Sequence, residues 1–224
     1  MGGGCLEIAI TTEGFGPEKI VLMPERCAFW PARRTLLVAD LHLGKCETFR
    51  AFGAPLPTAV NREMLDRLTC APAQRGAERI LVLGDLLHAP AGLTPALLDE
   101  VAEWRRSTDV EFSVVPGNHD RHLAKVTDPW NIRIMDPGTN EGPFAFHHFP
   151  VETDRFLWCG HQHPAKIFRR GSESIKLPGF IIGSKIGILP AFTRFAAGGG
   201  TCSTGRFYPV IDDCVSPPLE PLGR

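Results

Sequence analysis

The residues best suited to chemistry fall at regular places. Asp40 and His42 form Asp-x-His after TLLVAD, and Asp85 closes RILVLGD. Asn118 and His119 follow EFSVVPG, His147 and His148 follow PFAF, and His161 and His163 form Gly-His-x-His after RFLWC. Two Asp, one Asn and several His make a mixed oxygen and nitrogen donor set without thiolate. Such a set suits Mn, Fe or Zn better than Ca or a Cys-rich zinc site. There are more donors than one ion needs, so two divalent ions with a shared carboxylate are expected. Two-metal sites activate a water and neutralise charge on phosphoryl oxygens. Taken singly, Asp-x-His and Gly-Asp are common turn chemistry; the ordered recurrence at run ends carries the reading. His88 and His122 stand outside that pattern and read as structural or as supports behind the ligands.

Something must bring these residues together. The apolar runs that precede them are short, continuous and rich in Val, Leu and Ile, as expected of strands buried on both faces. Helical spacing lies between the first three. Thr58 to Thr69 places Val60, Met64, Leu65 and Leu68 on one face, and Thr94 to Arg106 does so with Leu97, Leu98, Val101 and Trp104. In the latter, Thr94 is the expected N-cap and Pro95 the first helical residue. Strand, helix, strand, helix, strand implies parallel pairing by right-handed crossovers, and the carboxyl ends of such strands converge on one crevice. From residue 143 onward the runs lie closer together with Gly and Pro between them, so antiparallel pairing without convincing helices is expected. The whole reads as an α/β fold of two packed sheets with helices outside. Residues 1–211 are expected to form a single domain, and 212–224, with Pro217, Pro218 and Pro221, an irregular tail.

Composition narrows the classes. In 224 residues, 24 Lys and Arg face 25 Asp and Glu, so the chain as a whole has no basic footprint for nucleic acid. Local patches at Lys166, Arg169 and Arg170, or Arg121 and Lys125, read more simply as solvated faces. Seven cysteines without a Cys-x-x-Cys fit a reducing, cytoplasmic setting better than a disulfide framework. No apolar run is long enough for a bilayer, so no membrane partner is expected. MGGGCLEIAI lacks a basic start and long apolar core, which argues against a secretory signal, and Cys5 departs from the myristoylation pattern after Gly2.

The order Asp-x-His, Gly-Asp, Gly-Asn-His, His-x-Pro, Gly-His-x-His, from Asp40 to His163, resembles the calcineurin-like metallophosphoesterase superfamily. ADLHLGKCETFRAFGAPLP (39–57), LGDLLH (83–88), GHQHPA (160–165) and LPAF (189–192) further resemble the bacterial ligase-associated DNA-damage-response endonuclease (PdeM) family. The superfamily resemblance implies a four-layer α-β-β-α sandwich of two mixed sheets flanked by helices. It implies that Asp40, His42, Asp85 and His163 hold one metal, and Asp85, Asn118, His148 and His161 the other, with Asp85 bridging. His148 is favoured over His147 because it stands in His-x-Pro, and strand alternation lets only one of the two face the site. His119 is the implied catalytic group, protonating the leaving oxygen or stabilising the charged phosphorus centre. Where many superfamily members have an acidic residue three after the bridging Asp, this chain has His88, which leaves the residue that orients His119 open, with Asp120 a candidate.

The expectation is a cytoplasmic, manganese-dependent phosphodiesterase or DNA-repair endonuclease. Lys45 and Arg50 are candidates for substrate binding, with a solvated helix start as the plain alternative. A DNA ligase, a helicase and an exonuclease-like protein are the partners the narrower resemblance implies. The rival readings are a phosphomonoesterase or nucleotide pyrophosphatase, and an inactive scaffold for a repair complex. The full set of donors speaks against the scaffold.

Overall fold

A computed structural model describes residues 4–57, 59–196, 198 and 205–218. Its first sheet has seven strands in sequence order: β1 (Leu6–Ile10), β2 (Glu18–Met23), β3 (Cys27–Trp30), β4 (Thr35–Val38), β5 (Arg79–Leu83), β6 (Glu111–Val115) and β7 (Arg133–Ile134). β1 to β4 pair antiparallel, whereas β4 to β7 pair parallel. The second sheet has eight: β8 (Thr139–Glu141), β9 (Phe144–Phe146), β10 (Phe156–Cys159), β11 (Ala165–Arg170), β12 (Glu173–Ile182), β13 (Ile186–Ile188), β14 (Arg206–Ile211) and β15 (Cys214–Val215). Its centre is parallel, β9 to β10 to β13, and the remaining pairings are antiparallel. The two mixed sheets are the α/β architecture expected, but the parallel centre of the second corrects the antiparallel pairing expected after residue 143: the segment 147–155 between β9 and β10 is a crossover and not a hairpin.

Strand alternation divides the apolar residues between two cores. Leu37, Leu81, Leu83 and Val115 face the second sheet and meet Phe144, Phe146, Phe156, Trp158 and Phe180. Leu36, Val38, Ile80, Val82, Phe112 and Val114 point the other way, onto the helices. Those helices are α1 (Lys45–Ala51), α2 (Val60–Arg75) and α3 (Pro95–Arg106). Met64, Leu65 and Leu68 of α2 and Leu97, Val101 and Trp104 of α3 fill this second core. Each such side chain contributes about 1.5–3 kcal/mol when fully buried, so the strands that end in polar residues lie in the best-anchored part of the molecule. Among the described residues, every helix longer than a single 3-10 turn precedes β6. Among the same described residues, the outer face of the second sheet carries the small cluster of Ala145, Leu157, Cys159, Ile181 and Ile188, and none of these helices contributes to it.

Several local features differ from expectation. α3 matches, with Thr94 accepting a hydrogen bond from the Leu97 N–H at 3.3 Å and Pro95 at the first helical position. α2 runs on to Arg75 through Pro72, because the polar and small residues after Thr69 conceal its last turn; Thr58 lies outside the described residues. The strands from Leu6 to Trp30 had no sequence expectation. Cys214 and Val215 pair with β14 where an irregular tail was expected from 212, while 219–224 lie outside the described residues. No described helix is long and apolar enough to cross a membrane.

Candidate metal centre

At the carboxyl ends of β4 and β5 the ladder does not stop where the strands do. The Asp40 N–H donates to the Gly84 carbonyl at 3.0 Å, His42 to Asp85 at 2.8 Å and Leu43 to Leu86 at 2.8 Å. These bonds fix the polar residues as rigidly as if they were still in the sheet. The backbone also leaves the usual regions: Asp40, His42, Asp85, His161 and His163 all have positive φ, between 46° and 67°. Asp tolerates this conformation better than most residues, and His is also enriched there, but concentration at one place marks a strained, over-determined site. Gly84 has a distinct reason to be glycine. With φ of +82°, a Cβ there would lie 2.1 Å from His148 Nδ1. Gly160 likewise admits the Asp40 carboxylate, which a Cβ would meet at 2.7 Å.

Two groups of donor atoms converge. Asp40, His42 and His163 form one, and Asp85, His148 and His161 the other, with the donor atoms within each group no more than 4.8 Å apart. Asp85 Oδ2 lies between them, 3.9 Å from His42 Nε2 and 3.4 Å from His148 Nε2. Asn118 Oδ1 is 3.1 Å from His148 Nε2. All seven residues expected as ligands are thus brought to one place. His148 belongs to the cluster, whereas His147 is turned aside and accepts the Phe149 N–H at 2.9 Å.

The fit to cations shows in the hydrogen bonding. His148 Nδ1 lies 3.1 Å from the Leu83 carbonyl, an acceptor only, so Nδ1 carries a proton and Nε2 is the nitrogen turned to the cluster. Nε2 faces Asn118 Oδ1 at 3.1 Å, His161 Nδ1 at 3.1 Å and Asp85 Oδ2 at 3.4 Å. Electron-rich atoms crowd together in this way when a positive charge is meant to sit among them. A histidine whose other nitrogen donates to a backbone carbonyl is also the usual arrangement of a metal ligand. His163 Nε2 is buried without a hydrogen bond, 3.3 Å from Asp40 Oδ1. The two carboxylates are almost inaccessible, Asp40 at 0% and Asp85 at 2%, and buried anions need a counter-charge.

Electrostatics agree. Burial would push the Asp85 carboxyl up, but the hydrogen bond and charge of His148, the His119 N–H and His42 outweigh it and hold it at about 2. Burial lowers His148, yet Asp85 and Asp40 raise it by more; a proton there answers the same demand as a metal. Burial takes His42 down to about 3 and, helped by Lys45, His88 to about 4, so both are neutral at pH 7 with lone pairs available.

His119 sits beside the metal groups. Its backbone N–H donates to Asp85 Oδ1 at 2.9 Å, and its Nδ1 is 2.8 Å from the His88 carbonyl, which fixes the ring and leaves Nε2 as the nitrogen presented. The group that orients His119 is therefore a main-chain oxygen. Asp120 has another task, accepting N–H groups of Leu86 (3.3 Å), Leu87 (2.9 Å) and Gly117 (2.8 Å) and so tying the two loops together. His88 was read from sequence as structural or as a support behind the site, and it takes the supporting place: its ring stacks on His119 with centroids 5.2 Å apart, and Phe49 stacks on it at 6.0 Å. His42, His88 and His119 also form a third set of close donor atoms. Only its place three residues after Asp85 hinted at this. His122 opens a 3-10 turn and does not join the cluster. Lys45 is near enough to Asp40, His42 and His88 to act on all three. Arg50 is committed elsewhere, to Glu47 at 2.8 Å and the carbonyls of Leu56 and Pro57 at 3.3 and 2.8 Å.

A cavity of about 620 Å³ lies away from this site. It is lined by Arg105, Glu111 and Arg133 at the amino end of β6, opposite the end where parallel strands present ligands.

Two mixed sheets with a buried Asp and His cluster across their strand ends define a metal-dependent phosphoesterase. The crystal structure of a nuclease, MPE of Pseudomonas putida, superposes with a TM-score of 0.79 at 30% identity, covering 94% of this chain and 100% of that one. The chain belongs to the metallophosphoesterase family. Yfce, a phosphoesterase from E. coli, aligns over 83% of this chain and 97% of its own, with a TM-score of 0.40 at 16% identity, too distant to argue from. No protein-family model and no curated protein matches the sequence.

Proposed function

We propose that this enzyme uses two divalent ions to hydrolyse phosphodiester bonds, with a DNA strand as substrate. The observation that carries the reading is the convergence of Asn118, His161 and Asp85 on Nε2 of His148. In this reading Asp40, His42, Asp85 and His163 hold one ion and Asp85, Asn118, His148 and His161 the other. When bound, the ions supply a nucleophile at neutral pH and neutralise charge on the phosphoryl oxygens. The chain's own residues do the rest. Asp85 divides its carboxylate, Oδ2 facing the metal groups while Oδ1 holds the His119 N–H. His119, its Nδ1 tied to the His88 carbonyl, delivers a proton from Nε2 to the leaving oxygen, a transfer suited to imidazole near neutral pH.

The preference for a strand over a small ester is supported by similarity to the Pseudomonas putida nuclease along the whole chain. Manganese as the native ion, a cytoplasmic setting and a place beside DNA-repair proteins extend that reading through the family resemblance. The test is hydrolysis by manganese-reconstituted protein of a generic phosphodiester, a generic phosphomonoester and single-stranded DNA, each beside Asp85→Asn. Diester and DNA cleavage that vanish in the variant, together with lower metal content, are expected. Turnover of the monoester alone would replace this reading with a phosphatase.

A further inference from the structure

The stretch 189–194 after β13 connects the metal centre to a group of cations that the chemistry above does not use. Its backbone is pinned beside the first ligand strand, with the Phe192 N–H donating to the Ala39 carbonyl at 2.8 Å and Thr193 to Asp40 at 3.3 Å. From the other side the Arg26 guanidinium donates to the Thr193 carbonyl at 3.1 Å. Arg67 donates to the Phe192 carbonyl at 2.8 Å and lies over its ring, 4.1 Å from the centroid. Arg194 shares Glu63 with Arg67, at 3.2 and 2.7 Å. Three arginines that are far apart in sequence therefore gather on a loop whose opposite edge is bonded to a metal-ligand residue.

Two adjoining cavities open over this cluster. The smaller, about 130 Å³, has Arg26, Arg194, Lys176 and His163 in its walls; the larger, about 290 Å³, shares Arg26, Arg194 and Lys176 and adds Arg67 and Asp212. Among the described residues, Glu63 pairs with Arg67 and Arg194, and Asp212 stands in the same wall, so the three guanidinium charges outnumber these two carboxylates. In a chain of net charge −1 that excess is local. Crowding has a cost: burial, followed by the charges of Arg67 and Arg194, brings Arg26 down to about 10. An arriving anion relieves such repulsion.

We propose that this is a binding subsite for a backbone phosphate of the nucleic-acid strand neighbouring the scissile one, entered past His163. Guanidinium forks match phosphate oxygens in pairs. The smaller cavity is well under the roughly 300 Å³ at which whole-ligand pockets begin, so it admits a group and not a nucleotide, and its continuation into the larger cavity leaves a path for the chain. The inference rests on the phosphodiesterase reading of the same centre, so its test separates the two.

Binding of a fluorescent single-stranded oligonucleotide is measured by anisotropy against salt, for the wild type and for Arg194→Ala, Arg194→Glu and Arg26→Gln. Hydrolysis of a generic small phosphodiester and of DNA is followed in parallel with manganese present. Arg194 is largely exposed, with 63% of its side chain accessible, so its two variants test charge without endangering the fold even if Arg26→Gln does. The expected result is affinity reduced roughly tenfold, more for Glu than for Ala, and a salt slope smaller by about one per arginine removed. KM for DNA rises with little change in kcat, and the loss on the small diester is several-fold smaller. Equal losses in an Arg169→Ala control on the β11–β12 hairpin, or binding indifferent to Arg26 and Arg194, would overturn the subsite while wild-type diester turnover keeps the catalytic reading. Arginine-dependent binding by a wild type that turns over no diester would keep the subsite and remove the catalytic reading.

Discussion

The two sheets deliver their shares of the metal centre by different means. In the first, β4 and β5 extend their pairing past the strand ends, an isolated bridge between Leu43 and Leu87 continues it, and Asp120 binds the loops after β5 and β6 together. In the second, the segment after β10 is tied to its own sheet by the Gly160 N–H on the His148 carbonyl at 3.2 Å and the Gly179 N–H on the Pro164 carbonyl at 3.1 Å. A further anchor lies in the opposite sheet: the His161 N–H donates to both oxygens of Asp40, at 3.2 and 2.9 Å. The first sheet is thus a self-supporting frame, and the second is registered against it by the Asp40 carboxylate. Asp40 and Asp85 each do two tasks, since Asp85 holds the His119 N–H as Asp40 holds that of His161.

Exchanging the two carboxylates for alanine tests this contrast most strongly. Both variants should lose activity by on the order of 10³-fold or more. Hydrogen exchange should then separate them, with Asp40→Ala loosening 160–163 and Asp85→Ala loosening 117–120; the same footprint in both would refute the division. Next in size, Asp120→Ala leaves three buried N–H groups without their acceptor and should destabilise the frame by about 3 kcal/mol, read from chemical denaturation. Gly84→Ala, whose methyl would collide with His148 across the sheet interface, should lower metal affinity about 10–100-fold while far-ultraviolet dichroism stays native. Adding manganese at a hundred times its Kd should contribute about 2.7 kcal/mol, a rise in Tm of roughly 5–10 °C that a chelator reverses. The smallest effect is expected from Thr94→Ala, which removes the α3 cap far from either set of ligands, at about 1 kcal/mol and with unchanged kinetics.

The parallel strands β4, β5 and β6 were legible in the sequence because burial on both faces writes itself as an unbroken apolar run, and each run ended at a donor residue; β9 and β10 were legible as strands but not as a parallel pair. β1 escaped because LEIAI alternates buried and exposed positions weakly, and β3 because CAFW is too short to show a period. α1 has seven residues and starts at Gly44 in a left-handed conformation, so neither length nor cap announced it. The donor set could be read as a linear order, since every member follows a strand. His88 could not, because its partner His119 is 31 positions away and the contact is ring on ring. The arginines at 26, 67 and 194 have no spacing in common; only the folded loop at 189–194 brings them together.

The left-handed backbone at Asp40, His42, Asp85, His161 and His163 also determines how a mutational scan of this protein should be designed. An L-residue without a short polar side chain loses about 1–2 kcal/mol in that conformation, so alanine at these five positions removes a donor and adds strain to the same measurement. Asparagine adopts the conformation readily and removes the charge or the imidazole while keeping an amide oxygen. Asn118 and His148 have ordinary backbones, and alanine there removes the donor without that strain. Asparagine beside alanine at each of the five therefore separates the cost of the lost charge or ring from the cost of the backbone.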